Sequence, residues 1–261
     1  MPAKVVMNIG TRKKADYLIY LAYAMQAIGK RVLIVDFTQN EIYRTGYVRL
    51  GPEGYLYDLQ GIDILVGAQC WQDIPDLLGV SNENLDLYDV VLLDIDNLDS
   101  LQKEWPVCDD YVYVGDFERD HIKRDSELLQ YLLSSLSQPF IRRVTYASKF
   151  KMNADFIEVL IKGEMKWNSV HMLFEYDEAI EELRLIIQHQ QTIPYDSLSR
   201  QHKELFNGYI SELYMMHVDE IQENVKQKSG GLFSSLFKKK NKLAQLEKEE
   251  PSGEYVFEKL K

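Results

Sequence analysis

Lys4-Val5-Val6-Met7-Asn8-Ile9-Gly10-Thr11-Arg12-Lys13-Lys14-Ala15-Asp16 opens the stretch whose reading decides the fold; it runs on to Phe37. Val5 to Ile9 is a short β-type run and Gly10 to Asp16 a polar loop. Tyr17 to Ile28 has helical periodicity. Gly29-Lys30-Arg31 then leads into a second apolar strand, Val32-Leu33-Ile34-Val35, ending on Asp36. Strand, loop, helix and strand in this length make a βαβ unit. The loop before such a helix aims backbone N–H groups and the positive helix end at an anion, so it is where phosphate normally binds.

Beyond this unit, strand-then-helix patterning repeats, and 261 residues are enough to bury a sizeable core. Both point to α/β architecture, one doubly wound, mostly parallel sheet with helices on both faces. No Pro/Gly-rich linker splits the first 220 residues. No run of about 18 apolar residues occurs and the N-terminus lacks a signal-peptide pattern, so the expectation is a cytoplasmic chain that does not span a membrane. Cys70 and Cys108 have neither metal-ligand spacing nor a disulfide framework, and five scattered histidines suggest no metal site and no catalytic triad.

The residues of the opening unit resemble the MinD/ParA group of deviant P-loop ATPases, which includes the TadZ/CpaE proteins of Tad-type pili. Gly29 to Asp36 is similar to that group's second strand. Counting back without a gap lays the group's Lys-Gly-Gly-x-Gly-Lys-Ser/Thr-Ser/Thr loop on Ile9 through Asp16. Gly10 and Lys14 match. The signature lysine falls on Ile9, two glycines on Thr11 and Lys13, and the Mg²⁺-binding hydroxyl on Ala15.

Each departure has a chemical consequence. Side chains at Thr11 and Lys13 crowd a cradle that glycine leaves open to phosphate. Ala15 offers Mg²⁺ no oxygen. Asp16 places a carboxylate by the positive helix end, so the chain supplies its own anion there. Thr38 stands where the resemblance implies a second acid after Asp36. Tyr88 to Asp94 resembles the Walker B strand, whose terminal acid, Asp94, is either a ligand for hydrated Mg²⁺ or a solvated acid at a strand end. The degenerate cofactor-binding loop is thus Gly10, Thr11, Arg12, Lys13 and Lys14, with Asp36 and Asp94 beside it. No catalytic residue is assigned, and no cofactor is expected unless Arg12, Lys13 and Lys14 together still attract the phosphates of ATP.

The resemblance extends over about residues 3 to 220. It implies strands at Cys108–Val114, Ile141–Tyr146 and Val170–Asp177, with Glu175 where the group has proline, and closing helices at Asp177–Gln190 and Ser199–Met216.

Charge divides the chain into three: a fold domain (1–225), a basic segment (226–242) and a flexible tail (243–261). Residues 226–242 carry six lysines and no acid; 243–261 carry three lysines against five glutamates. The formal −11 of the whole therefore leaves −15 on residues 1–225. An acidic body argues against nucleic acid as a partner, since sequence-independent affinity comes from neutralising phosphates. Leu232, Phe233, Leu236 and Phe237 share one side of a helix and precede Lys238, Lys239, Lys240 and Lys242. That is the pattern of an amphipathic anchor on an anionic membrane surface, and it resembles the C-terminal targeting helices of MinD proteins. The same stripe also suits docking on the chain's own body or on another protein. Pro251-Ser252-Gly253 breaks any helix in the final stretch. One tail tyrosine, Tyr255, and a broken loop argue against a bacterial tyrosine kinase.

The sequence thus predicts a MinD/ParA-like pseudo-ATPase, a scaffold or positioning protein held on the inner face of a bacterial cell membrane. The resemblance implies a homodimer and protein partners in a membrane machine such as a Tad-type pilus or secretion apparatus. The alternatives are a slow or binding-only ATP-dependent dimerisation switch and a soluble adaptor without lipid contact.

Overall fold

The computed structural model describes residues 2–47, 54–136, 140–150, 156–161 and 165–229. Its centre is set by β1 (Lys4–Ile9), β2 (Val32–Phe37) and β5 (Val90–Ile95). All six residues of β2 and of β5 are buried, as expected of parallel strands covered on both faces. β1 lies between β5 and β6 (Asp110–Gly115), and β2 pairs with the far side of β5. The sheet continues through β7 (Phe140–Tyr146) to β8 (Lys166–Phe174) on one side. On the other it ends in β4 (Ile62–Leu65) and β3 (Leu56–Leu59). Among the described residues the order is β3-β4-β2-β5-β1-β6-β7-β8, and only the β3–β4 pair is antiparallel.

Side chains alternate between the two faces and build two cores. On one face, Val6, Ile34, Leu92 and Val112 meet α1 (Ala15–Ala27), α7 (Ala179–Gln190), α8 (Arg200–Tyr214) and a last helix, α9 (218–229). On the other, Met7, Val35, Leu93 and Ile141 meet α3 (Asp73–Val80), α5 (Arg119–Ser135) and α6 (Phe156–Leu160). Every residue of α1 from Ala15 to Met25 is buried, which explains its near-continuous apolar sequence: this helix is covered all round. Two short helices, α2 (Ile42–Gly46) and α4 (Leu98–Leu101), follow β2 and β5.

The fold class read from the sequence stands, with shifted boundaries. β6 starts at Asp110, because Asp109 turns its carboxylate to the Val5 amide at 2.8 Å. β8 runs from Lys166 and stops at Phe174, because the Asp177 carboxylate accepts the Ala179 amide and starts α7. Residues 226–229, read from composition as the start of the basic segment, continue α9. Lys228 lies 4.3 Å from the Tyr23 ring centroid and donates to Gln26, and the hydroxyls of Ser229 and Tyr23 are 3.4 Å apart. Burial there lowers the Lys228 ammonium to about 8. The apolar stripe and lysine cluster from Leu232 to Lys242, and the 243–261 tail, lie outside the described residues. No described helix is long and apolar enough to cross a membrane.

Candidate functional site

The chain leaves β1 at Gly10, wedged between β5 and β6. Its amide donates to the Ile95 carbonyl at 3.1 Å, and its φ of +145° is open to glycine. A Cβ here would overlap the Val114 carbonyl oxygen of β6. Glycine at this position is therefore required by close strand packing, whether or not a ligand binds.

Lys14 ends the loop at the start of α1, and its side chain turns inward. The ammonium donates to the Gly10 carbonyl, to the Ile95 carbonyl at 3.2 Å, and lies 2.8 Å from Asp94 Oδ1. The two side chains are 1% and 0% exposed. Two of the ammonium's protons go to backbone carbonyls, and its charge faces the Asp94 carboxylate. Asp94 Oδ2 accepts from the Tyr43 hydroxyl at 2.8 Å, so α2 closes the other side of the pair. The Asp94 carboxyl is raised by its complete burial and pulled back by Lys14 and Tyr43. The reading of Asp94 as a solvated acid at a strand end is thereby corrected: it is fully buried and holds Lys14.

Asp36 lies level with Asp94 in the next strand, as Asn8 does on the other side. It accepts from the Thr38 amide at 2.9 Å, the Thr38 hydroxyl at 2.6 Å and the Tyr43 amide at 3.0 Å. Thr38, in place of a second acid, thus ties down the first. Burial pushes the Asp36 carboxyl up to about 7, against the pull of Thr38 and with a further push from Asp94.

The loop's anion is supplied from an unexpected place. Asp125 of α5 is fully buried, and its Oδ1 accepts both the Thr11 amide and the Thr11 hydroxyl at 2.7 Å. Its Oδ2 accepts the Tyr113 hydroxyl at 3.0 Å. A carboxylate here occupies an amide of the kind that cradles phosphate. Asp16, expected to be the internal anion, lies 3.8 Å from the Arg12 guanidinium instead. Asp125 was missed in the sequence, yet it carried a signal. It falls in the stripe Ile122, Leu128, Leu129, Leu132, where α5 otherwise buries only apolar residues.

The three loop cations do not converge. Lys14 is buried against Asp94 and Lys13 is exposed. Arg12 lies over the Tyr146 ring, 3.4 Å from its centroid, between Asp16 and Asp116. Of the sequence-predicted residues, Gly10, Lys14, Asp94 and Asp36 form one connected buried cluster, Thr11 joins it through Gly10, and Arg12 and Lys13 stand apart. No group of three or more His, Cys, Asp or Glu able to hold a metal occurs among the described residues.

The sheet order, with Gly10 and Lys14 at the first crossover, makes a fold like that of the P-loop NTPase MinD. The MinD cell division protein of Aquifex aeolicus superposes with a TM-score of 0.51 at 14% identity, over 78% of this chain and 94% of that one. A chain of the MinC:MinD cell division protein complex of the same organism gives 0.50 at 12% identity, over 78% and 93%. A ParA family ATPase from Chlorobium tepidum gives 0.48 at 14%, over 79% and 98%. No protein-family model and no curated protein sequence matches the chain. What the two MinD structures share with it is the fold.

Proposed function

We propose that this chain is a MinD/ParA-like pseudo-ATPase that works as a scaffold or positioning protein. The observation that carries the reading is the Lys14–Asp94 pair. In a working P-loop the lysine reaches the β- and γ-phosphates and the Walker B acid serves Mg²⁺. Here each neutralises the other in a dry interior, with Tyr43 and two backbone carbonyls completing the shell. Asp125 occupies the Thr11 amide as well. Binding a nucleoside triphosphate would require breaking a buried ion pair and expelling a buried carboxylate, and Ala15 returns no oxygen to the metal.

What remains of the fold's capabilities is surface. The likeness to MinD supports a positioning role, with protein partners and a homodimer as the associations to test. The membrane machine served, a Tad-type pilus or a secretion apparatus, follows from sequence resemblance alone. The tether is the stripe Leu232, Phe233, Leu236, Phe237 with its lysines. Each partly buried apolar side chain contributes on the order of 1–2 kcal/mol, and each lysine roughly 1 kcal/mol on an anionic surface. Ordering a helix of only two or three turns opposes this gain, so the reading is weak, reversible, salt-sensitive attachment on the inner face of the membrane. The acidic body continues to argue against nucleic acid.

Two experiments test the two halves. A fluorescent ATP analogue with Mg²⁺ should show no saturable change in anisotropy. Vesicles rich in anionic lipid should sediment the full chain at low salt but not a chain lacking residues 230–242. Sedimentation of the shortened chain would remove the tether from the reading.

A further inference from the structure

A cleft of about 710 Å³ opens beside Arg12, at the C-terminal ends of β6, β7 and β8. Six carboxylates line it, those of Asp116, Glu118, Glu175, Asp177, Glu178 and Glu181, against two cations, Arg12 and Lys149. One wall is aromatic: Tyr146 stacks on Phe174 with ring centroids 4.8 Å apart. This wall already holds a cation, since the Arg12 guanidinium sits on the open face of Tyr146. The cleft also contains an unanswered polar atom. His202 is 2% exposed, its Nδ1 is 2.6 Å from the Ser199 hydroxyl, and its buried Nε2 has no hydrogen-bond partner. Burial holds the ring neutral. His202 lines the cleft, so this unpartnered ring nitrogen is left for a polar group that enters it. Carboxylates beside the exposed rings of Phe150 and Tyr176 are the recognition chemistry of an ammonium group.

We infer that this cleft is the docking site of the chain's own lysine cluster, Lys238, Lys239, Lys240 and Lys242. The cluster puts four lysines in five residues with no acid among them, and the cleft is its electrostatic complement. Reach permits the contact. Ser229 is fastened beside Tyr23, eight residues along α1 from Ala15, about 12 Å on a helix, and Arg12 precedes Ala15 by three residues. Lys238 follows nine residues later, enough chain to span roughly 30 Å when extended. The inference goes beyond the scaffold reading and does not depend on it. Its consequence is competition: lysines held in the cleft are withheld from any anionic surface, so whatever fills the cleft releases the segment.

The test is zero-length cross-linking of the full chain with a carbodiimide, which joins an amine to a carboxylate in direct contact, without lipid or nucleotide. Equal amounts of isotopically heavy and light protein are mixed first. Linkage of Lys238–Lys242 to Glu118, Glu175 or Glu178 within single-isotope chains is expected. It should fall several-fold in about 1 M salt, where the Debye length is about 3 Å. It should fall similarly in the double variant Glu118→Gln/Glu175→Gln, in which both side chains are exposed and make no ion pair. Trypsin should cut after Lys238, Lys239 and Lys240 several-fold faster in that variant. Mixed-isotope linkage alone would assign the site to a second copy and overturn docking within one chain. So would the absence of linkage to the cleft, or cleavage rates that the variant leaves unchanged.

Discussion

Replacing Lys14 by Met keeps the length of the side chain and removes its charge. In this structure the change strands Asp94 in a fully buried position with only the Tyr43 hydroxyl for company. Removing one partner of a buried ion pair costs about 3–5 kcal/mol, because the remaining charge has lost its compensation. For a chain of this size each kcal/mol is worth roughly 2–4 °C, so the melting temperature should fall by about 6–20 °C. The cost should be reversible by a second substitution. Asp94→Asn removes the stranded charge and leaves an amide oxygen for Tyr43. The double variant should therefore recover about 2 kcal/mol or more relative to the single-variant sum, a coupling typical of groups in direct contact. Urea denaturation of the four proteins, scored by midpoint at constant slope, measures the cycle. A Lys14→Met cost below about 1 kcal/mol with no coupling would refute the reasoning. It would mean that the ammonium is not spent on Asp94 and is free to face the loop.

Other changes probe the same cluster. Tyr43→Phe deletes one hydrogen bond to a buried carboxylate and should cost about 1.5–3 kcal/mol by urea denaturation. Gly10→Ala drives a Cβ into the Val114 carbonyl at a φ of +145° and should destabilise by at least about 3 kcal/mol or prevent soluble expression. The pH dependence follows from Asp36, whose carboxyl is raised to about 7 in the folded state. Between its unfolded value near 4 and that value the folded chain keeps a proton that the unfolded chain has lost. Its contribution to stability therefore declines as pH rises through this window, with the full penalty above 7. The urea midpoint should be higher at pH 5 than at pH 7.5, and Asp36→Asn should shrink the difference; an equal difference in the variant would remove Asp36 as its source.

How far the sequence is legible depends on how local each feature is. The first βαβ unit reads directly, because a β-type run, a polar loop and a nearly continuous apolar helix are all local patterns. The β3–β4 hairpin escapes an apolar-run reading because each strand has only four residues. Its turn is nevertheless written in the chain: Gln60 and Gly61 both have positive φ, as a two-residue hairpin turn demands, between Leu59 and Ile62. In the site, Gly10, Lys14, Asp36 and Asp94 stand out because strand ends and helix starts carry them. Tyr43 and Asp125 do not, because their roles come from elements far apart in sequence. Thr11 and Asp125 are separated by 114 positions, and Tyr43 and Asp94 by 51. Only tertiary structure shows that Lys14 faces Asp94 while Arg12 swings away over Tyr146.

The most direct test of the pseudo-ATPase reading is a thermal melt of the full chain with and without Mg-ATP, paired with calorimetric titration. The buried Lys14–Asp94 pair and the Asp125-occupied loop predict an unchanged melting temperature and no binding heat at millimolar nucleotide. A ligand at a hundred times its dissociation constant would add about 2.7 kcal/mol, a rise of roughly 5–10 °C. Such a rise with a saturable heat would contradict the account and make the chain an ATP-binding switch.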